Sequence, residues 1–537
     1  METKSCTTCK HDFTVTDSDK EFYKEMSVPV PNKCGQCRQI DRLIWRNERV
    51  LYKRKSDATG KDILSVYHQD SPFIVYEAKY WHSDEWNALD YGQDYDFERP
   101  FFDQFKELLY KVPQLALSVT SNQNCDFVNQ CGWCKNCYLV FEAVDNQNCL
   151  YSNNIYDSRF SMDCLTVTNC ELCYECIDCE DSYGLKFSQN SKNCSESWFL
   201  KSCIGCKNCF GCINLRNKEY YFLNQKYSKE EYEKKIDELN LTTSKALEQA
   251  RKNFLDFTKK FPQKYIQGTQ NEDSTGDYIY NTQRCEECYD CNNMQDCQHV
   301  YNCRFMKKCY DITVFGSVKG AEFCYHSHEI GDGVRNVRFS DQIWIASYDI
   351  SYAKLCIQNS HHLFGCVSLK HKSYCILNKQ YSEDEYKALI PKIIEHMKST
   401  GEWGQFFPKE LSPYAYNETV THIYHPLSKE EAIKKGYTWR DPDAKEYLPA
   451  SGDILACSQC KKNYKIQDQE QKLYDRHNLP IPHKCHDCRH SARFKLRNPR
   501  KLHDRNCNKC QTAFKTTLTI DRPEPVYCEK CYLESVE

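Results

Sequence analysis

The chain has 537 residues, 37 of them cysteine, and a formal net charge of −3. That length leaves room for several domains, and the near-neutral balance excludes a global attraction to nucleic acid. Met1 to Cys6 holds no apolar leader and no run of about 18 apolar residues exists, so the expectation is a cytoplasmic protein without a membrane segment, its thiols metal-bound or reduced.

Residues 1–50 open with Cys6-x-x-Cys9 and continue to Cys34-x-x-Cys37. Four thiolates in two such knuckles predict a tetrahedral, structural zinc site. A helix-period stretch follows, with Arg38, Arg42, Arg46 and Arg49 along one face and Ile40, Leu43 and Ile44 on another. The same pattern returns 451 residues later as Cys457, Cys460, Cys485 and Cys488, with Arg489, Arg493, Arg497 and Arg500 behind it. There a further set, Cys507, Cys510, Cys528 and Cys531, completes a second site. Carried back by the same offset, those four positions are Ser56, Thr59, Glu77 and Tyr80. Residues 51–95 therefore read as a degenerate ribbon module without metal, filled instead by apolar residues such as Phe73, Val75, Tyr76 and Trp81. The expected cofactors are three structural zinc ions, one at the N-terminus and two in modules 451–503 and 504–537.

The run Cys6-x-x-Cys9-Lys10-x-x-Phe13, Glu21-Phe22-Tyr23 and Pro31-x-x-Cys34-x-x-Cys37-Arg38 resembles the treble-clef-type zinc-ribbon family. That resemblance covers about the first 45 residues and their later copy. It implies zinc binding, with the second knuckle opening a helix, and no activity. Over nearly its whole length the chain also resembles cysteine-rich zinc-ribbon proteins of uncultivated bacterial lineages, which bears on architecture alone.

Pro100 starts a helix carrying Phe102, Phe105, Leu109 and Val112, expected within 96–118 to cap the open end of the solenoid that follows. Cysteines then stand at Cys134, Cys149, Cys164, Cys179, Cys194 and Cys209, a step of fifteen, with small or aliphatic residues three and six positions on. Asn148, Asp163, Asp178, Asn193 and Asn208 precede the last five. A fixed short period predicts a parallel β-solenoid over 119–226, its cysteines aligned in one interior row and serving as small buried hydrophobes. The stretch is duplicated at an offset of 154, where Cys285, Cys288, Cys291, Cys303, Cys324 and Cys366 match the first copy. In this second copy, 271–381, Val318, Gly333, Tyr348 and Leu363 replace column cysteines. Capping boxes Ser228-x-x-Glu231, Ser382-x-x-Glu385 and Ser428-x-x-Glu431 predict helices in the insertion 227–270 and the connector 382–450. The insertion's stripe of Leu247, Ala250, Phe254, Phe257 and Phe261 should pack on the solenoid. The fold class is thus mainly β: a duplicated short-coil solenoid flanked by tandem zinc-ribbon modules, with helical insertions.

The central Cys-x-x-Cys-x-x-Cys clusters admit an iron–sulfur or redox reading, but the spacing differs from bacterial cluster runs. His326, His328, His361 and His362 lack a cysteine or carboxylate at a telling spacing and read as solvated loop histidines. No nucleotide loop, nucleophile elbow or zinc-hydrolase motif is present, and closed four-thiolate sites argue against zinc catalysis. Residues 457–537 hold 17 Lys+Arg against 10 Asp+Glu, a formal +7. The expected function is a non-enzymatic scaffold binding RNA, DNA or a ribonucleoprotein through Arg38, Arg42, Arg46, Arg49, Arg489, Arg493, Arg497 and Arg500. A protein–protein adaptor is the other reading.

Overall fold

In a computed structural model, residues 1–316, 318–442, 447 and 449–536 are described. The connector expected over 382–450 therefore lies partly outside the described residues. Two compact units divide the chain, residues 1–117 with 266–441, and residues 118–265 with 442–537. Each contains one solenoid and the module pair from the far end of the sequence.

The second unit holds the first solenoid, from Val119–Thr120 to Gln225–Lys226. Its coils pair in parallel, residue 141 with 153, 153 with 165, and 165 with 177, and only the closing strand Gln225–Lys226 turns back antiparallel on Glu219–Phe222. The coil is therefore twelve residues long, and the fifteen-residue reading is corrected. Every third residue from Ser121 to Leu223 has a positive φ, with glycine at 184, 205 and 211. Each coil is four triplets. One residue of a triplet points inward, the next points outward, and the third turns the corner in the left-handed region. Asn and Asp tolerate that region best among non-glycine residues. This is the physical reason that Asn148, Asp163, Asp178, Asn193 and Asn208, with φ between 48° and 56°, precede cysteines. Fifteen is one coil plus one triplet, so Cys149, Cys164, Cys179 and Cys194 occupy successive sides of the bore. They do not form one row.

The bore selects side chains that are small and able to accept a hydrogen bond. The N–H of each inward residue points toward the preceding coil. Ser152 Oγ accepts from Cys164 N–H at 3.0 Å, Ser182 from Cys194 at 3.2 Å and Ser197 from Cys209 at 2.9 Å. Cysteine fills the same role more weakly: Cys125 Sγ accepts from Cys137 and Cys194 Sγ from Cys206, both at 3.4 Å. The thiols also donate to carbonyls, as Cys164 does to Cys173 at 3.6 Å. These cysteines thus supply hydrogen-bond donors and acceptors as well as hydrophobic packing.

Helix Ser244–Thr258 lies on this solenoid. Phe254 meets Phe199 at 5.7 Å and Arg251 pairs with Glu175 at 2.7 Å. Its neighbour Lys229–Glu238 begins at the Ser228–Glu231 capping box. Strand Gln263–Lys264 then pairs in parallel with Val526–Tyr527 of the C-terminal module.

The first unit repeats the design with the second solenoid, from Gly268–Glu272 to Lys379–Gln380. Here twelve-residue coils, 277 with 289 and 361 with 373, flank thirteen-residue ones, 328 with 341 and 341 with 354, and the step from Met306 to Ala321 takes fifteen. These added residues move the register off a fixed offset. Val318 is 82% exposed, Gly333 is a left-handed turn and Tyr348 is exposed, whereas Leu363 is buried, so three of the four positions expected inside are not. Helix Phe101–Lys111 was expected to cap the first solenoid. It belongs to this unit, with Phe101 5.6 Å from Phe364 and Phe105 stacked on Phe407 at 4.8 Å. Helix Glu383–Ser399 starts at the Ser382–Glu385 capping box, and Lys429–Lys434 at Ser428–Glu431. No helix among the described residues is long and apolar enough to cross a membrane.

Candidate metal centres

Each cysteine tetrad is assembled from a hairpin turn and a helix start. At the first, Cys6 N–H donates to His11 O and Lys10 N–H to Cys6 O, with Lys10 at φ 65°. That tight turn brings Cys6 and Cys9 together after strand Glu2–Ser5. Cys34 is the N-cap of helix Gly35–Leu43 and Cys37 lies in its first turn. Cys34 N–H donates to Cys6 Sγ at 3.3 Å, and Cys9 Sγ stands 3.6 Å from Cys34 Sγ. The second tetrad repeats this with Cys485 capping His486–Phe494, a 3.3 Å bond from Cys485 N–H to Cys457 Sγ and a 3.6 Å Cys460–Cys485 separation. The third has Cys528 N–H to Cys507 Sγ at 3.4 Å and Cys510–Cys528 at 3.6 Å.

Within each group of four, all Sγ atoms lie within 4.8 Å of one another. A tetrahedron with metal–sulfur arms of about 2.3 Å has edges of about 3.8 Å, so the donor sets fit a four-coordinate metal ion. Within a tetrad the thiols shift in opposite directions: the Cys37 thiol, first, pulls Cys34 down to about 5, while Cys34 in turn pushes Cys37 up. Among the described residues these three groups, at Cys6, Cys9, Cys34 and Cys37, at Cys457, Cys460, Cys485 and Cys488, and at Cys507, Cys510, Cys528 and Cys531, are the ones in which three or more ligands converge.

The fourth module keeps the knuckle without the cysteines. Ser56 N–H donates to Lys61 O and Gly60 N–H to Ser56 O, both at 2.9 Å, as in the other three, and Gly60 has φ 70°. The Glu77 carboxylate occupies the ligand centre, accepting from the Ser56 hydroxyl and from Thr59 Oγ1 at 2.9 Å. Burial opposes its charge, but the Ser56 hydroxyl leads the donors that hold its carboxyl below the ordinary value. At the fourth position Tyr80 packs edge-on to Tyr76 at 5.2 Å. Behind them Trp81, fully buried, packs with Leu355 and Ile357 of the solenoid.

The arginines expected to meet phosphate are mostly interior. Arg38 and Arg42 straddle Asp311 at 2.7 and 3.2 Å, and Arg46 pairs with Glu48 at 2.5 Å and Glu329 at 3.6 Å. In the other unit Arg489 and Arg493 straddle Asp163 at 2.9 and 2.8 Å, and Arg497 pairs with Asp178 at 3.0 Å. The guanidinium-bearing side chains of these six are at most 8% exposed, so none reaches a phosphate while the modules are packed. Arg49 and Arg500 are half-buried. Burial alone would raise Asp311, but Arg38 and then Arg42 outweigh it and hold that carboxyl at about 2. Asp163, Asp178, Asp311 and Glu329 all sit at left-handed solenoid corners, with φ between 51° and 57°. Sequence reasoning missed these acids as docking partners. Their signal was the Asn/Asp preference of the corner, which also conceals them among residues chosen for backbone geometry.

One further expectation changes. His326 and His328 are buried, and His328 Nδ1 meets Asp341 Oδ1 at 2.5 Å while Lys354 Nζ holds the other oxygen at 2.9 Å. The central cysteine clusters are inward triplets of the solenoid, lying on consecutive sides of the coil. No protein-family model and no curated protein matches the chain.

Proposed function

We propose that the protein is a non-enzymatic scaffold whose module pairs are held rigid by three structural zinc ions. The observation that carries this reading is the coupling of two of the three closed tetrads to a solenoid: Cys34 and Cys485 each cap the very helix whose arginines grip the solenoid's corner acids. Four thiolates leave no open coordination position for substrate, and sulfur donors with tetrahedral edges favour zinc over hard divalent ions. The free thiols suit a reducing compartment such as the cytoplasm. Metal analysis of freshly purified protein should return three zinc ions per chain. Iron with acid-labile sulfide would replace this reading with the iron–sulfur one, in which the bore thiols bind a cluster.

A protein partner is favoured over RNA or DNA, because six of the eight arginines that supported phosphate binding are engaged within the units. Any nucleic-acid contact falls instead to exposed lysines of the C-terminal modules, such as Lys484, Lys495 and Lys501. Salt-dependent binding to RNA or DNA that disappears when these three become alanine would reinstate the nucleic-acid reading.

A further inference from the structure

The second solenoid brings together a constellation on three of its coils that the sequence spacing hides. His361 and His362 are adjacent, and in an ordinary strand their side chains would point to opposite faces. His362 stands at a corner with φ 52°, which swings its ring back toward its neighbour. The two Nδ1 atoms face each other at 2.8 Å. At that distance either one ring carries its proton on Nδ1 and donates an N–H···N hydrogen bond to the other, or both present bare Nδ1 lone pairs that converge on a bound cation.

The surroundings fix both rings. Tyr348 stacks on His361 at 4.8 Å and Tyr374 on His362 at 4.9 Å. Asp349, one coil earlier on the same corner, places Oδ2 3.5 Å from His362 Nε2 and is itself held by Asn336 Nδ2 at 2.5 Å. A carboxylate on the far nitrogen of a ligating histidine is the usual way of setting ring orientation and raising donor strength. With metal–nitrogen arms of about 2.1 Å, a 2.8 Å separation subtends about 84°, close to the right angle between neighbouring ligands in octahedral or square-planar complexes and far from a tetrahedral angle.

We propose that His361 and His362 form a surface site for a divalent transition metal of octahedral or square-planar preference, nickel(II) or copper(II), with water completing the coordination and Asp349 as the positioning residue. This site is distinct from the cysteine tetrads in donor type and geometry, and it stands whether or not the scaffold reading does.

The test uses full-length, zinc-loaded protein titrated with nickel(II), which unlike copper(II) does not oxidise thiols, with released zinc followed by a chromogenic chelator. One nickel per chain should bind without zinc release. His361→Ala and His362→Ala should each weaken that binding at least about 10-fold, and Asp349→Asn by about 10-fold. Retained zinc and an unchanged circular dichroism spectrum show that a variant is folded, and His361→Gln and His362→Gln serve where alanine fails that check. Absence of nickel binding means that a proton alone bridges the pair and overturns the proposal. Uptake matched by zinc release, or uptake unchanged in both histidine variants, overturns it as well.

Discussion

Residues 51–82 and 502–533 have the same backbone and different glue. Both make the knuckle turn, closed by the same pair of backbone hydrogen bonds, and both supply a two-residue parallel strand, Val75–Tyr76 or Val526–Tyr527, to a partner strand in their own unit. One gathers four thiols at its centre; the other gathers two hydroxyls around a carboxylate and leans a tryptophan on the solenoid. The two arrangements are alternative solutions to one local problem. A small hairpin module buries too little to hold its knuckles closed, and either a metal ion or a hydrogen-bonded anion with added apolar contact will do it.

The largest effect expected from this comparison is on metal removal. Unit 118–265 with 442–537 carries two tetrads, and the other unit carries one. Structural zinc is worth about 10–16 kcal/mol of apparent folding free energy in small zinc modules. A strong chelator should therefore open residues 451–536 to hydrogen exchange first and more completely, with residues 1–50 following and 51–95 protected longest. Equal or earlier opening of 51–95 would show that the Glu77 arrangement is no substitute for metal.

Next in size is the docking of each module on its solenoid. Asp163→Ala leaves Arg489 and Arg493 buried without their shared acid, and Asp311→Ala does the same to Arg38 and Arg42. Breaking one partner of a buried pair costs about 3–5 kcal/mol, and the loss should appear in denaturant unfolding of the unit that carries the change. A cost below about 1 kcal/mol would mean that the arginines find other acceptors. The pH dependence has a definite sign. The Asp311 value in the folded chain, about 2, lies below its ordinary 3.8, so its stabilisation is present above the ordinary value and is lost as pH falls toward about 2. The gap in stability between wild type and Asp311→Asn should narrow across that window.

These pairs also mark where the sequence was legible and where it was not. The tetrads could be read because four cysteines in two knuckles are a local signal, and the emptied module because its alignment to a filled one has no gap. The solenoid was legible as a repeat but not as a coil. With cysteine at several inward triplets per turn, a one-triplet slip looks the same in sequence, and only hydrogen-bond register separates twelve from fifteen. The arginines misled because a basic stripe on a helix looks alike whether it faces phosphate or a buried carboxylate. Asp311 is 273 residues from Arg38, and Asp163 precedes Arg489 by 326, so no local pattern joins them.

A smaller effect is expected at the carboxylate of the metal-free module. Glu77→Gln keeps the size of the side chain but removes the charge that two hydroxyls address. Hydrogen bonds to a charged group contribute about 1.5–3 kcal/mol, and the loss should be read as faster exchange over residues 52–65 with the metal count unchanged. Placing cysteine at Ser56, Thr59, Glu77 and Tyr80 together should restore protection and raise the zinc count by one. Protection without extra zinc would show that the module is held by Trp81 and its neighbours alone.

The smallest expected effect separates two accounts of the thiol-lined bore. Cys194 Sγ accepts from Cys206 N–H at 3.4 Å and donates to Cys203 O at 3.6 Å. If the cysteines only fill space, Cys194→Val should be tolerated and Cys194→Ser, smaller and more polar, should be the worse change. If the bore needs acceptors, the order reverses, because valine orphans the Cys206 N–H whereas serine accepts from it as Ser182 does from Cys194 one coil earlier. An unsatisfied buried donor costs about 1–3 kcal/mol, and the weak sulfur acceptor places this case near 1. Thermal unfolding of the two variants side by side decides it. Serine above valine establishes hydrogen bonding as the reason that cysteine and serine alternate through the first solenoid, and valine at or above serine returns the bore to simple packing.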